Sequence, residues 1–351
     1  MVTREEKNKE IQNEIEEEKS REKRKKIVKT FFKITIIIIV CFFSLYFYAK
    51  YEPTIGLIVK ETRITNQKIP DSFNGSKIIH FTDIDYGNNI FQEELDNLVK
   101  VINERKPDIV IFTGNLIDKD YNLSTKEKEK IITSLKKISA STSKYAVCGK
   151  DDEIDVFTTI MNQSDFTILD NSYDLVYNNN TPILLVGLSS YVSGGRNIDE
   201  AFKYFKEETH NSNIYTISIM SETEDLDEII TNYNPDLVLA GNSLNGEIRL
   251  PYIGGLIRQE GSSKYINPHY KKNSTDIYIS GGLTSKTIGF RIFNNPSINF
   301  YRLTNKKYKS TFLFLHKWEL NQFFPGLNKY LHFLFLLYFY IFFSYLFLFL
   351  L

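Results

Sequence analysis

The chain has 351 residues, of which 42% are hydrophobic and 25% are charged, a composition typical of a globular protein with one sizeable core. Its 43 Lys and Arg residues balance its 43 Asp and Glu residues, so no overall positive charge indicates a nucleic-acid partner. With two cysteines, Cys41 and Cys148, the sequence provides no disulfide framework.

Residues 1–30 are almost wholly polar and predict an exposed, charged helix. Thr3 and Glu6 have the spacing of a capping box, and acidic and basic residues then recur at helical offsets. Because no apolar heptad seam is visible, the pattern favours a solvated helix over a coiled coil that binds a partner.

Residues 31–49 form an apolar run whose one charged residue is Lys33. A helix of this length, rising ~1.5 Å per residue, nearly spans the ~30 Å hydrocarbon layer of a membrane. Bulky aromatic residues follow where a cleavage site would need small ones, which favours an uncleaved anchor over a signal peptide. The positive-inside rule then predicts a cytoplasmic N-terminus and a main domain outside the cell membrane. The basic residues before the run are Lys23, Arg24, Lys25, Lys26 and Lys29.

Residues 52–303 predict an α/β domain with a layered core. Two amphipathic stretches, FQEELDNLVKVINERK and STKEKEKIITSLKKISA, have apolar residues at helical spacing. Between and after them come short apolar runs typical of buried strands. These runs are KIIHFTD, PDIVIFTG, KYAVCG, PILLVGL, IYTISIM, PDLVLAG and DIYISGG.

The C-terminal part of the sequence changes character again. Residues 304–330 have the composition of a linker, and residues 331–351 are almost purely Leu, Phe and Tyr. The second stretch is long enough to span a membrane and predicts a second transmembrane helix. The alternative is a low-complexity tail that does not span.

Four of the predicted strands end in a sharp polar turn. Asp83 and Asp85 follow the first strand, Gly114 and Asn115 the second, residues 149–152 the third and residues 241–246 the fourth. In open α/β sheets, ligands bind outside the carboxyl ends of the strands. Glycines at such turns let the backbone approach closely. The pattern therefore predicts that the four turns converge on one ligand site.

In chain order these turns resemble the motifs of the calcineurin-like metallophosphoesterases, which are D-x-H, G-D, G-N-H-D, a lone His and G-H-x-H. The closing stretch YISGGLTSKTIGFRIFNNPSINFYRL is similar to the membrane-anchored bacterial subgroup. The resemblance covers residues 77–303 and implies a two-sheet β-sandwich flanked by α-helices. The matching segments are Asp83-Ile84-Asp85, Gly114-Asn115, Gly149-Lys150-Asp151-Asp152, Met220 or Ser221, and Gly241-Asn242-Ser243-Leu244.

The same resemblance implies a degenerate metal centre. Asp83 matches the first ligand of the family, and Asp85 stands where a His belongs but can still bind a hard cation. Asn115 replaces the carboxylate that bridges two cations, and a neutral amide cannot offset their repulsion. The remaining departures are Lys150 for an amide ligand, Asp151 for the His that protonates the leaving group, and Asn242 and Leu244 for two His ligands.

No other catalytic set appears in the sequence. It contains no nucleophile elbow, no phosphate-binding P-loop and no H-E-x-x-H zinc motif. His80 lies within a predicted strand, which favours a structural role, and the turn at Gly194-Gly195-Arg196 is more typical of a simple turn than of an anion site. The other histidines lie in loops or near the tail, namely His210, His269, His316 and His332.

These observations favour a membrane-anchored pseudoenzyme that acts as a binding or assembly module. The alternative is a divergent phosphoester hydrolase that uses one Mg²⁺ or Ca²⁺ ion, held by Asp83, Asp85, Asn115 and Asp151. A third hypothesis is a purely structural domain. We expect no resident cofactor, a membrane and an unidentified protein as partners, and no nucleic acid.

Lys150 carries one further hypothesis. Several carboxylates at the ends of adjacent strands raise one another's pKa or require a cation. The Lys150 ammonium could replace a metal ion by pairing with Asp83 or Asp151. The alternative is that Lys150 points to solvent, as lysines in turns commonly do.

Overall fold

The computed structural model describes residues 4–51, 57–207, 213–287 and 289–306. The chain divides into two units, and the described part of the first is one long helix, α1 (Arg4–Tyr51). This helix runs without a break through the predicted charged segment and the predicted anchor. Among the described residues, no helix is both long enough and apolar enough to cross a membrane, so the anchor at residues 31–49 is not confirmed. The predicted helix 331–351 and the linker beyond residue 306 lie outside the described residues, as do His210, His316 and His332.

The second unit alternates strands and helices, as the sequence predicts. Each run that was interpreted as a strand or helix contains one. The elements are β1 (Ile58–Thr65), β2 (Lys77–Phe81), α2 (Gln92–Glu104), β3 (Ile109–Phe112), α3 (Thr125–Lys136), β4 (Ser143–Ala146), α4 (Ile154–Gln163), β5 (Thr167–Ile168), β6 (Ser172–Asn178), β7 (Thr181–Gly187), α5 (Ile198–Ala201), α6 (Lys203–Glu207), β8 (Thr216–Met220), α7 (Leu226–Tyr233), β9 (Leu237–Ala240), β10 (Arg249–Leu250), β11 (Gly254–Gly255), β12 (His269–Lys272), β13 (Thr275–Ile279) and β14 (Ser297–Thr304).

Two six-stranded sheets organise this unit. The first has the order β1-β14-β2-β3-β4-β5 and the second has the order β12-β13-β9-β8-β7-β6. In the first sheet β2, β3, β4 and β5 are parallel neighbours. In the second, β13, β9, β8 and β7 are parallel. The carboxyl ends of the central strands of each sheet therefore lie at one edge, where the predicted turns follow.

Three apolar clusters hold the layers together. Alternate residues of a strand point to opposite faces of its sheet, so Ile78 packs between the two sheets while Ile79 faces the helices. The cluster between the sheets includes Tyr145 of the first sheet and Leu185 of the second. Helices α2, α3 and α4 cover the outer face of the first sheet, and α5 to α7 cover that of the second. The expected sandwich of two sheets flanked by helices is confirmed.

Candidate functional site

The polar turns after β2, β3 and β9 meet at one place. The backbone N–H of Asp83 donates to the Gly114 carbonyl at 2.6 Å, and that of Asp85 donates to the Asn115 carbonyl at 3.1 Å. From the second sheet, the backbone N–H of Asn242 donates to Asp83 Oδ2 at 3.1 Å. The turns thus bind one another through their backbones, as the sheet topology requires, and Asp83 lies where the two sheets meet.

The Asp83 carboxylate is wholly buried and fully engaged. Its Oδ1 accepts a hydrogen bond from Asn115 Nδ2 at 2.9 Å, and its Oδ2 accepts one from Thr82 Oγ1 at 2.9 Å. The backbone of Asp83 has φ +52° and that of Asp85 has φ +42°, a left-handed conformation that is uncommon outside glycine but tolerated by Asp and Asn. Such backbone strain clusters at ligand sites, where the surrounding structure fixes it.

A lysine lies at the centre of the carboxylates. Lys286 Nζ is 3.3 Å from Asp83 Oδ1, 3.2 Å from Asp85 Oδ1 and 3.0 Å from Asp151 Oδ2. Its side chain is 13% exposed. Burial alone would lower the pKa of Lys286, but the three carboxylates outweigh burial and hold that pKa well above its usual value. The ammonium therefore stays charged and is the counter-ion of the cluster.

Sequence reasoning missed Lys286. The residue belongs to the loop between β13 and β14, within the closing stretch that resembles the membrane-anchored subgroup, but that resemblance assigned it no role. Its one further signal is that it follows a strand ending at the same sheet edge. The loop can approach because Gly282 has no side chain. A Cβ there would lie 2.6 Å from Leu244 Cδ2 and 3.1 Å from Asp83 Cβ, and the residue has φ +67°, a conformation that favours glycine.

Lys150 has a narrower role than Lys286. Its Nζ lies 2.7 Å from Asp151 Oδ1, and both side chains are 12% exposed. Of the two suggested partners, Asp151 is the one that Lys150 contacts, so that pairing is confirmed and Lys150 does not point to solvent. Within the described residues, no ion pair joins Lys150 to Asp83. Burial would raise the pKa of Asp151, but Lys286 and Lys150 together hold it below its usual value.

Asp85, which belongs to the cluster, and Asp152, which lies beside it, both have raised pKa values. Burial raises the pKa of Asp85 well above its usual value, and Asp83 and Asp152 add to the effect while Lys286 opposes it. Asp85 Oδ2 has no hydrogen-bond partner within the described part of the chain. Burial also raises the pKa of Asp152 to about 7, although its carboxylate accepts backbone N–H groups of Leu116 at 2.6 Å and Gly149 at 2.9 Å.

The neutral residues at the other candidate positions serve the packing of the turns. Asn115 donates to Asp83 and accepts the backbone N–H of Asp151 at 2.8 Å, so its amide links two turns. Asn242 Nδ2 turns to the Glu260 carbonyl at 2.7 Å and Ser262 Oγ at 3.1 Å. Leu244 is buried and brings no donor atom.

The described histidines lie outside this cluster. His80 is buried within β2, as predicted, where its Nε2 lies 2.9 Å from Thr113 Oγ1 and burial lowers its pKa to about 3. His269 lies on β12, beside Asp276 and stacked on Tyr278. Neither contacts the carboxylates.

The glycine-rich turn before α5 also serves the structure. The Arg196 side chain is 3% exposed, with Nη2 at 3.3 Å from Glu222 Oε2 and Nη1 at 2.5 Å from Asp225 Oδ1. Its Nε donates to the Ser189 carbonyl at 2.7 Å. The guanidinium is thus occupied by internal partners, in agreement with the interpretation of this segment as a simple turn.

Comparison with known proteins identifies the fold family to which this site belongs. YkuE of Bacillus subtilis, an uncharacterized metallophosphoesterase, is 27% identical over 263 residues, which cover 74% of this chain and 89% of YkuE. An uncharacterized metallophosphoesterase of Helicobacter pylori is 24% identical over 292 residues, covering 81% of this chain and 73% of that protein. The chain belongs to the calcineurin-like metallophosphoesterases. The resemblance seen in the four turns is therefore confirmed at the level of the family.

Other comparisons add less. A Danio rerio transmembrane protein with a metallophosphoesterase domain is 33% identical over 60 residues, 17% of this chain and 14% of that protein. No protein-family model matches the chain. Among solved structures, the phosphopantetheinyl hydrolase of Mycobacterium tuberculosis is 10% identical, with a TM-score of 0.35 over 60% of this chain and 91% of that one. GAP50 of Plasmodium is 9% identical, with a TM-score of 0.35 over 65% and 80%. Scores this low carry no argument about this metallophosphoesterase.

A metallophosphoesterase centre implies two cations, and the described residues do not fit them in this arrangement. Asp83, Asp85 and Asp151 converge on the Lys286 ammonium rather than on an open position. Within the described ranges, no group of three or more His, Cys, Asp or Glu side chains is placed to hold a metal ion. Asn242 Nδ2 donates to the Glu260 carbonyl and Ser262 Oγ, and its Oδ1 has no hydrogen-bond partner within the described ranges.

Proposed function

We propose that this metallophosphoesterase-fold chain is a pseudoenzyme that acts as a binding or assembly module. The single observation that carries the proposal is the position of Lys286. Its ammonium lies within 3.0–3.3 Å of three carboxyl groups. Lys286 and Lys150 together offset the charges of Asp83 and Asp151, while the raised pKa of Asp85 favours its neutral form. The cluster thus meets its need for positive charge without a metal ion.

Electrostatics supports the exclusion of a divalent cation while Lys286 remains in place. A dication that contacted the same carboxylates would lie about 3–4 Å from the ammonium. At an effective dielectric constant of ~20, two such charges repel by roughly 8–11 kcal/mol. Metal binding would therefore first require Lys286 to leave, which would break contacts with all three carboxylates.

The neutral residues support the same proposal. A two-cation centre needs a bridging carboxylate and several lone-pair donors. Asn115 supplies an amide whose oxygen already accepts the Asp151 N–H, and Leu244 supplies no donor. What remains is a buried, hydrogen-bonded cluster at the ends of the two sheets, which lacks the donor set that hydrolysis with two cations needs.

One observation favours the alternative, a hydrolase that uses a single hard cation. Asp85 Oδ2 is buried and has no partner among the described residues, as expected for an oxygen that awaits a ligand. If Lys286 swung outward, Asp83, Asp85 and Asp151 would present carboxylates suited to Mg²⁺ or Ca²⁺.

Metal analysis combined with an activity assay separates the two functions. We expect the purified full-length chain to contain less than stoichiometric Mn, Fe or Zn, and to leave aryl phosphate monoesters and diesters unhydrolysed when Mn²⁺, Mg²⁺ or Zn²⁺ is supplied. The matched control is Asp83→Ala, which should behave like the wild type. Two equivalents of bound metal, or turnover that disappears in Asp83→Ala, would refute the proposal.

A further inference from the structure

A second polar cluster lies beside Gly281, the residue next to the glycine that packs on Asp83. Lys60 of β1, Asn245 of the turn after β9 and Ser297 of β14 meet there. A Cβ built on Gly281 would lie 3.0 Å from Asn245 Nδ2, 3.0 Å from Ser297 Oγ and 3.5 Å from Lys60 Nζ. The three side chains therefore converge on the side of Gly281 where another residue would carry its Cβ, and they can approach closely because residue 281 has none. We call these four residues the Lys60 cluster.

The polar atoms of this cluster lack protein partners. Asn245 and Ser297 are wholly buried. Asn245 Nδ2, Asn245 Oδ1 and Ser297 Oγ have no hydrogen-bond partner in the described part of the chain. Leaving a buried polar group unpaired costs about 1–3 kcal/mol, so the two donors beside Gly281, Asn245 Nδ2 and Ser297 Oγ, indicate a ligand that accepts hydrogen bonds from them.

The cluster also has an excess of positive charge. Burial lowers the pKa of Lys60 to about 8, and repulsion from Arg291 and Arg249 contributes. Within the described ranges, no carboxylate forms an ion pair with Lys60. The two guanidiniums bind carbonyl groups instead: Arg291 Nη1 donates to Gly281 at 2.7 Å, and Arg249 Nη1 donates to Asn245 at 3.0 Å. Glu247, Asp83 and Asp85 offset part of the Arg291 charge, whereas the charges that act on Lys60 are those of the two guanidiniums.

We propose that the Lys60 cluster binds a small anion, which accepts hydrogen bonds from the Lys60 ammonium, the Asn245 amide and the Ser297 hydroxyl. Water would satisfy the unpaired donors but would not offset the positive charge, so the charge decides between the two ligands. Halide, phosphate and carboxylate share the required chemistry. This inference is independent of the proposed function, because none of its residues belongs to the carboxylate site.

Equilibrium dialysis of the full-length chain tests the proposal. Radiolabelled chloride, phosphate and acetate are compared at constant ionic strength, which is maintained with a bulky anion. We expect saturable binding of one equivalent for at least one of the three, and their order of affinity identifies the natural class. Lys60→Met, which removes the charge, and Gly281→Ala, which adds a Cβ where the three side chains converge, should each weaken binding at least tenfold. Lys60→Arg should retain it.

Lys144→Met is the matched control, because Lys144 is also partly buried in the first sheet but binds the Ser164 carbonyl. It should bind the anion as the wild type does. Ser297→Ala, a smaller change, replaces Gly281→Ala if that variant does not fold, and should also weaken binding. Absence of saturable binding would overturn the proposal. Equal binding by all variants would also overturn it, since that result means an adventitious ion only.

Discussion

Two lysines of this metallophosphoesterase lie in opposite electrostatic surroundings. Lys286 contacts three carboxylates, whereas the charges that act on Lys60 are those of two guanidiniums. The loop between β13 and β14 links the two lysines. It carries Lys286, packs on Asp83 through Gly282, and contributes Gly281 to the Lys60 cluster. One loop therefore separates an acidic cluster that holds its own cation from a basic cluster without its own anion.

The comparison shows that the fold can supply the partners of a charged side chain, as it does for Lys286. A cluster whose polar atoms lack protein partners, such as the Lys60 cluster, is the better indicator of a ligand. At Lys286 the pairing is internal, with carboxyl groups of Asp83, Asp85 and Asp151. At Lys60 the pairing is incomplete, and the cluster has capacity for an anion. The two lysines should therefore respond to neutralisation in opposite directions.

The largest effect is expected for Lys286→Met. Methionine keeps most of the side-chain volume but leaves three clustered carboxylates without a cation. Breaking a buried ion pair in this way costs roughly 3–5 kcal/mol, and urea unfolding of the full-length chain should report a loss of that size. Added Mg²⁺ or Ca²⁺ should restore part of it, because hard cations bind carboxylate oxygens.

Lys150→Met is the control for that variant, since it removes a lysine with one carboxylate partner rather than three. Its cost should be about 1.5–3 kcal/mol, the range for one hydrogen bond to a charged group, because Asp151 keeps Lys286 as a second partner. Equal losses for Lys150→Met and Lys286→Met would show that Lys286 is not the special cation of the site.

An intermediate effect is expected for Gly282→Ala, which disturbs the side of the loop that faces Asp83. The added Cβ would lie 2.6 Å from Leu244 Cδ2, in a backbone with φ +67°. Overpacking and the left-handed conformation together should cost about 2–4 kcal/mol. Gly75→Ala is the control, because Gly75 has φ +93° but nothing within 4 Å of an added Cβ. That variant should lose about 1–2 kcal/mol, and a larger loss than in Gly282→Ala contradicts the packing argument.

The smallest effect, and one of opposite sign, is expected for Lys60→Met in a buffer without small anions. At pH 7 its free energy of unfolding should equal that of the wild type or exceed it by up to about 1 kcal/mol. Burial, Arg291 and Arg249 lower the folded-state pKa of Lys60 from 10.5 to about 8. The unfolded chain therefore binds more protons between those pH values, and wild-type stability should rise with pH across that window.

Lys60→Met should lack this rise, so the difference between the two chains should shrink as pH approaches 10.5. Parallel stability curves for wild type and variant between pH 7 and 10.5 would mean that Lys60 titrates normally and that the positive cluster is not strained.

The sequence predicted the strands and the meeting of the turns because both depend on local patterns. Apolar runs such as those of β3 and β9 are buried on both faces, and each is followed by a glycine turn at the same sheet edge. Asp83, Asp85, Asn115 and Asp151 are consequently close together, as expected. The placement of His80 within a strand follows from the same periodicity.

The sequence could not reveal the cation of the site, because Lys286 reaches Asp83 through tertiary packing rather than through a motif. Lys150 looked the better candidate since it lies inside a turn, yet a turn position does not fix the direction of a long side chain. Asn242 was likewise predicted near the metal position, and its backbone N–H donates to Asp83 Oδ2, while its Nδ2 donates to the Glu260 carbonyl and Ser262 Oγ. These side-chain contacts are made between loops that are far apart in the sequence. The spacing of residues along the chain therefore does not predict them.

The position of β14 has a consequence for the order in which the domain is completed. This strand lies between β1 and β2 in the sheet, although in the sequence most of the domain separates it from both of them. During synthesis, β1 and β2 leave the ribosome with their mutual neighbour still missing, and their unpaired edges remain open to other chains. The loop that carries Lys286 emerges just before β14, so the nascent chain holds the acidic turns well before it holds their counter-ion. Insertion of the last strand thus closes the first sheet and delivers the lysine in the same late event.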